Sequence, residues 1–487
     1  MIDPKQSLVL NVRGGARICV PADIEQITTY ILLEQDDWFE DEIRFVRRWL
    51  RPGMQAVDVG ASYGVYTLAM ARAVGGGGRV WAFEPTPQSA DYLQRSLELN
   101  ACSQVLMSRA AVSAHAGTVA FAAGAQSELN AIGGVSGDML QVQAVTLDQM
   151  AAAHGWNDVD FVKLDVEGHE IEALRGGAGF FESASPLVML EVKAASRLNL
   201  STLDPLLAMG YEAYRLLPGP LMLTPFDPLE PMDGRFLLNL FACKRDRARQ
   251  LAESGFLATI GVPGTAKAVK GAWAAFAGSA LYARDLAAGW RSSAGFFSNP
   301  DEGAYFEGLG AFARSRDASL APAERLAWLN RALQCVADAV GASDTLARRL
   351  SYARIAAELG WRGAAAECLG LAIGRMAAGE AKAPQEPFIA PSERYERMAT
   401  YAGPSEWLTC AVVEQYEKLR HYSSLFLDKT SLEVLGPIGD LPYRSAEVDR
   451  RRQLVRRRHG MPPLPASPLL LAASEENLNP QYWGAPA

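Results

Sequence analysis

The segment Gln55-Ala-Val-Asp-Val-Gly-Ala-Ser-Tyr-Gly64 carries a short apolar run into two glycines, and Glu84-Pro85 closes the next apolar run. Glycines at a strand-to-helix turn let the backbone pass close to a ligand with no side chain between them. Glu84 falls about twenty residues past the loop, where a carboxylate at a strand end can accept both hydroxyls of a ribose. An adenosine-bearing ligand across the strand tips is the expectation. The spacing is G-x-x-x-G, not the G-x-G-x-x-G that brings backbone against a pyrophosphate. Asp58, two residues before Gly60, would repel a pyrophosphate but suits a ligand carrying an amino group and a sulfonium. No G-x-x-x-x-G-K-[ST] phosphate cradle accompanies the loop. S-adenosylmethionine fits these residues best.

A second constellation is Asp160-Phe-Val-Lys-Leu-Asp-Val-Glu-Gly-His-Glu170. Strand alternation puts Lys163 and Asp165 on one face, with Asp165 at the strand tip. Gly168 turns the chain and Glu170 opens a helix, where a carboxylate suits the dipole. Glu191 ends the apolar run Leu187-Val-Met-Leu. Asp58, Glu84, Asp165, Glu167, Glu170 and Glu191 are therefore expected on one rim. So many acids together are costly unless positive charge compensates. A sulfonium supplies one charge; a hard cation such as Mg²⁺, held by Asp165, Glu167 and Glu191, would supply more. Lys163 is expected to neutralise part of the cluster. His169 is a rival base, but a helix-surface or capping role is preferred for it. Asp148 is read as a helix-start carboxylate tied to Thr146.

These residues need a scaffold that brings strand tips together. Apolar runs at 56–59, 79–83, 105–111, 118–122, 141–145, 160–165, 187–192, 211–214 and 237–243 alternate with helical patterns, which predicts an α/β fold with a Rossmann-like, mostly parallel sheet. The Pro/Gly-rich stretch 218–228 predicts a long hairpin between the last strands. Acceptor-binding loops are expected at 123–140 and 216–233. Past Arg245 the composition turns to Ala, Arg, Leu and Glu, which predicts an all-α region. The expected division is 1–245, a helical linker at 246–300, an all-α domain at 301–435, and a basic helix with a disordered tail at 436–487. Ala353, Ala356, Gly360, Ala365, Leu369 and Ala372 have the spacing of a tetratricopeptide-like helix pair. The arginine runs 450–452 and 456–458 are expected to form a solvated helix end.

At 487 residues the chain exceeds one core. Hydrophobic residues make up 49% and charged ones 21%, the balance of a globular protein. A net charge of -8 argues against a broad nucleic-acid face. No signal-peptide pattern or membrane-length apolar run is visible, and the six cysteines show no metal-ligand spacing, so a cytoplasmic protein with reduced cysteines is expected.

Taken in order, Val57-Asp-Val-Gly-Ala-Ser-Tyr-Gly-Val-Tyr-Thr67, Ala82-Phe-Glu-Pro85, Ala111-Val-Ser113, Val145-Thr-Leu-Asp148 and Phe161-Val-Lys-Leu-Asp-Val-Glu-Gly-His-Glu170 resemble the FkbM-type methyltransferases across roughly residues 35–243. The resemblance implies S-adenosylmethionine-dependent O-methylation of a hydroxyl on a sugar or other polyhydroxylated acceptor, as in glycan or cell-surface polysaccharide synthesis. It implies that Asp58, Gly60, Ala61, Ser62, Gly64, Glu84, Pro85 and Ala111 hold the cofactor and that Asp165 and Glu167 lie at the reacting end. Ser62 stands where the family often has Asn. Residues from 246 onward lie outside the resemblance and are expected to bind the acceptor or a protein partner. The rival reading is a non-catalytic scaffold in a glycan-assembly complex.

Overall fold

The computed structural model describes residues 6–484 except 124–130, 133–137, 167, 195–196, 230–235, 260, 262–268, 270, 291–299, 381–383 and 402. The chain opens with a hairpin that sequence patterning did not predict: β1 (Ser7–Val12) pairs antiparallel with β2 (Ala16–Pro21). The α/β core follows, with β3 (Gln55–Val59), β4 (Arg79–Phe83), β5 (Val105–Ser108), β6 (Ala110–Val112), β7 (Gly117–Ala123), β8 (Asp138–Val145), β9 (Phe161–Leu164), β10 (Leu187–Glu191), β11 (Glu212–Leu217), β12 (Met222–Pro225) and β13 (Asn239–Cys243).

Eight of these strands form one sheet in the order β12-β11-β13-β10-β9-β3-β4-β5. β5, β4, β3, β9 and β10 are parallel; β13 runs antiparallel to β10, and β11 to β13. Central strands such as Phe161-Val-Lys-Leu are buried on both faces, which is why they read as near-continuous apolar runs. The chain lays β3, β4 and β5 outward in one direction, then returns to place β9 on the other side of β3. A crevice opens at the carboxyl ends where strand order reverses in this way. The architecture is an open, Rossmann-like, mostly parallel α/β sheet followed by a helical half.

The run 105–111 is two strands, not one. Arg109 separates β5, in the main sheet, from β6, which joins β8, β7 and the two-residue strand Ala131–Ile132 in a second sheet. Hydrophobicity alone cannot report a change of sheet inside one apolar run. The predicted hairpin also gains an edge strand, since β12 folds back antiparallel on β11.

In the helical half, Pro300–Ser315 packs on Pro322–Ala342, and Leu346–Glu358 on Arg362–Arg375, which in turn meets Pro404–Arg420. Ala353, Ala356, Ala365, Leu369 and Ala372 are buried, as close helix approach requires.

The end of the chain differs from expectation. Arg450 and Arg451 are 0% and 2% exposed, on the helix Ala446–Arg458. Arg450 Nη1 lies 3.1 Å from Asp36 Oδ2, and its Nε donates to the Glu34 carbonyl at 2.7 Å. The segment 460–484 is packed, not a loose tail. Leu470 and Trp483 enter the core that holds the hairpin and helix Ile27–Gln35. Asn479 Nδ2 donates to Asp36 Oδ1 at 2.7 Å, and the Asn11 amide donates to Asn479 Oδ1 at 2.7 Å. Isolated arginine and proline clusters look solvated in sequence because their buried partners lie more than four hundred residues away.

Burial alone would raise the Glu447 carboxyl, but Lys418, then Arg451 and Arg450, hold it down at about 2. A carboxyl depressed by folding stabilises above its unfolded value, here 4.5, and that contribution fades as pH falls toward about 2. Glu447→Gln is expected to lower stability at neutral pH by on the order of 3 kcal/mol and to flatten the acid limb. Urea midpoints compared at neutral pH and below the folded value check this; a deficit that persists unchanged in acid contradicts it.

Candidate functional site

The strand-end loop of β3 is shaped by backbone conformations that side chains tolerate poorly. Gly60 has φ 84°, and a Cβ built there would lie 1.8 Å from the Asp165 carbonyl oxygen. The tips of β3 and β9 touch at this point. The Gly60 and Ala61 amides donate to the Phe83 carbonyl at 3.1 and 3.0 Å, tying the loop to β4. Ser62 also has positive φ, 48°, and its amide donates to Glu84 Oε2 at 2.8 Å. The Thr86 amide donates to Glu84 Oε1 at 2.8 Å. Glu84 therefore moulds the loop with one lone pair on each oxygen, and a carboxylate keeps further lone pairs for a ligand. Burial raises its carboxyl above the usual range.

Beneath the loop lies a charged chain. Asp58 is 0% exposed; Thr67 Oγ1 donates to its Oδ2 at 2.6 Å, while Oδ1 has no hydrogen-bond partner among the described residues. Lys163 Nζ lies 3.9 Å from Asp58 Oδ1 and donates to Asp165 Oδ2 at 2.8 Å. Burial opposes the lysine charge, but Asp165 and then Asp58 outweigh it and hold Lys163 above the ordinary lysine range. The ammonium also sits 5.0 Å over the Tyr66 ring, a favourable cation–π position. Tyr66 donates to Glu40 Oε2 at 2.5 Å. Burial raises the Glu40 carboxyl.

These groups surround a cleft of about 230 Å³ at the strand tips. Gly60, Ala61, Ser62, Glu84, Pro85 and Ala111 line it, as do Asp165 and Glu191. Asp58 and Gly64 do not; Asp58 supports Lys163 from behind, and Gly64 packs against Leu93. Glu170 leaves the rim as well, because its carboxylate accepts from the Val166 and Gly168 amides at 3.1 Å each. Glu167 lies outside the described residues. Among the described residues no group of three His, Cys, Asp or Glu is placed to hold a metal ion, so the Mg²⁺ expectation has no support. His169 is hydrogen-bonded to Ser113 Oγ at 3.1 Å, away from the cleft lining. Asp148 caps a different helix from the one expected: it accepts from the Gly179 and Phe180 amides, while Thr146 pairs with Gln149 in a capping box.

Sequence reasoning missed the outer wall: Trp38, Phe39, Glu40, Tyr66 and, from the helical half, Phe426. The adjacent Trp38-Phe39-Glu40 ahead of helix Asp41–Trp49 was the one local signal available. Phe426 has none, since only tertiary packing brings it there.

Residues 58–213 match the family model described as the methyltransferase FkbM domain. The chain carries an FkbM methyltransferase domain. A solved methyltransferase FkbM from Methylobacillus flagellatus KT is 19% identical over 41% of this chain and 50% of that one, with a TM-score of 0.28. The chain thus spans half the length of that relative. A SAM-dependent methyltransferase from Aquifex aeolicus is 15% identical over 45% of this chain and 98% of that one, with a TM-score of 0.26. A SAM-dependent O-methyltransferase from Thermotoga maritima is 14% identical over 50% and 94%, with a TM-score of 0.27. No curated protein matches the chain. The FkbM domain ends before β13, so the family match does not reach the last sheet strand or the helical half.

Proposed function

We propose that the FkbM domain binds S-adenosylmethionine in the strand-tip cleft and that the chain methylates a hydroxyl of a sugar or similar polyhydroxylated acceptor. The observation that carries this reading is the Glu84–Ser62–Gly60 arrangement beside the Lys163–Asp165 pair. The residues present fit the donor. Gly60 lets the loop sit against the Asp165 carbonyl, where a Cβ would not fit, Glu84 keeps lone pairs for ribose hydroxyls, and Phe83, Ala111 and Val112 supply an apolar wall. Gly60, Ala61, Ser62, Glu84, Pro85 and Ala111 would hold the donor, with Asp58 and Gly64 shaping the loop from behind.

When bound, S-adenosylmethionine supplies an electrophilic methyl on a sulfonium. The chain must then hold an acceptor oxygen about 3 Å away and in line, which is most of the catalysis. A sugar hydroxyl is a weak nucleophile, so a carboxylate that takes its proton helps. Asp165, at the tip of β9 with its ion-paired Lys163, is proposed for that role together with Glu167. Lys163 orients the Asp165 carboxylate and offsets its charge. Water exclusion falls to the aromatic wall of Trp38, Phe39 and Phe426.

Titration with S-adenosylhomocysteine tests the donor half of this reading, and no binding refutes it. Asp165→Asn is expected to bind S-adenosylhomocysteine like the parent while turnover falls by roughly a hundredfold or more, within the usual range for loss of a general base. Transfer of labelled methyl groups to cell-surface glycan fractions supplies the turnover assay. Undiminished turnover in both Asp165→Asn and Glu167→Gln contradicts the base assignment.

A further inference from the structure

A second cavity, of about 370 Å³, lies between the sheet and the helical half. The sheet side contributes Asn239 and the turn Leu216, Pro218 and Gly219; the helical side contributes Arg362 and Tyr422. That turn belongs to the stretch expected to build an acceptor pocket, and it docks on the helical half through the Gly219 amide, which donates to the Glu358 carbonyl at 3.1 Å.

This cavity and the methyl-donor cleft share a wall of neighbouring residues. Glu40 lines the cleft and Asp41 the cavity. Glu191 lines the cleft, and its cross-strand partner Asn239 lines the cavity. Phe39 of the cleft packs its ring 5.1 Å from that of Tyr422 in the cavity. Asn239 is 5% exposed, and its Nδ2 has no hydrogen-bond partner among the described residues.

Arg362 is held in one orientation. Its Nε donates to the Leu419 carbonyl at 2.9 Å, and its Nη2 to the carbonyls of Lys418 and His421. The guanidinium lies 4.3 Å from the Tyr422 ring centroid and 5.5 Å from that of Phe236. Among the described residues, no carboxylate lies within 4.0 Å of the guanidinium, and Nη1 makes no hydrogen bond. Four other cations on the wall are paired with carboxylates: Arg44 with Asp41 at 2.9 Å, Arg354 with Glu358 at 2.8 Å, Arg394 with Glu476 at 2.7 Å, and Lys418 with Glu447 at 2.9 Å. Arg215 donates to the Leu359 carbonyl at 2.9 Å. A half-buried guanidinium fixed on aromatic faces with an edge to spare matches the planar fork that carboxylates and phosphates take. An anion there also gives a close countercharge to a guanidinium that Asp41 and Glu42 of the same wall offset only from beyond 4.0 Å.

We propose that this cavity is the acceptor subsite and that the acceptor is an anionic sugar. Its carboxylate or phosphate is held by Arg362 while a ring hydroxyl reaches the cleft past Glu40 and Asn239. The word acceptor rests on the methyl-transfer reading; anion binding at Arg362 does not.

The test titrates the full chain with methyl glucuronide, glucose 1-phosphate and neutral methyl glucoside, each with and without S-adenosylhomocysteine. Both anionic probes, or one of them, are expected to bind about tenfold or more tightly than the neutral one, and Arg362→Gln to lose that preference. Which anion binds distinguishes a uronic acid from a sugar phosphate. Asp41→Asn made together with Arg44→Gln, which removes a negative charge from the wall without freeing the arginine paired with it, is expected to tighten anion binding a few-fold, and it decides the matter if Arg362→Gln does not fold. Equal binding of neutral and anionic probes, or anion binding unchanged in both variants, overturns the proposal. Failure of S-adenosylhomocysteine to bind, with anion binding intact, counts against methyl transfer and leaves the anion site standing.

Discussion

A Gly60→Ala chain is expected to lose S-adenosylmethionine binding by at least about a hundredfold, equivalent to nearly 3 kcal/mol. Two costs act together. At φ 84° an L side chain is strained by roughly 1–2 kcal/mol. The added methyl would also sit 1.8 Å from the Asp165 carbonyl oxygen, which is backbone and cannot rotate away. The tips of β3 and β9 must part, which moves the Ser62 amide from Glu84 and Asp165 from Lys163. Gly64→Ala is the instructive contrast. Its nearest contact, at 2.5 Å, is the end of the Leu93 side chain, which can rotate. It is expected to weaken binding less, mainly through its own positive φ. Calorimetric titration of both variants checks the pair. Equal affinity in Gly60→Ala and the parent would show that the donor does not rest on this loop.

The second large effect lies far from the cleft. Arg450→Ala is expected to destabilise the chain by about 3–5 kcal/mol, the range seen when one partner of a buried ion pair is removed. The guanidinium is 1% exposed and lies 3.1 Å from the equally buried Asp36. It also donates to the Glu34 and Glu476 carbonyls, so its loss leaves a carboxylate and two backbone oxygens short of donors. By the same reasoning, removing residues 246–487 is expected to leave an N-terminal fragment that does not fold. That cut exposes Glu34 and Asp36 without their arginines and strips Leu425, Leu454, Leu470 and Trp483 from the hairpin core. Truncation is therefore a poor probe of acceptor binding, and point changes in the junction cavity are better. Urea unfolding of Arg450→Ala, and soluble yield of the fragment, test these statements. A fragment with a cooperative unfolding transition would contradict them.

Much of the cleft was legible along the chain because its parts are local. Gly60 and Glu84 sit at the ends of consecutive parallel strands, so strand period and loop spacing place them side by side. Lys163 and Asp165 share a face of one strand for the same reason. Asp58 shows where such reasoning stops. Its position at a strand end reads as ligand contact, yet its side chain turns inward to Thr67 and Lys163, a direction that spacing does not encode. Glu170 likewise turns back to its own loop, because two unpaired amides at a helix start are closer than any ligand.

The order of residues by itself determined the alternating strands and helices, the glycine loop, and the carboxylates at the strand tips, since each depends on neighbours within a few tens of residues. Tertiary structure alone decided that Arg450, Arg451 and, in the last segment, Leu470 and Trp483 are buried, that Phe426 lines the cleft, and that Arg362 faces a cavity shared by both halves. Those outcomes depend on partners hundreds of residues apart. Whether a charge is solvated or buried is set by what packs over it, not by its own type.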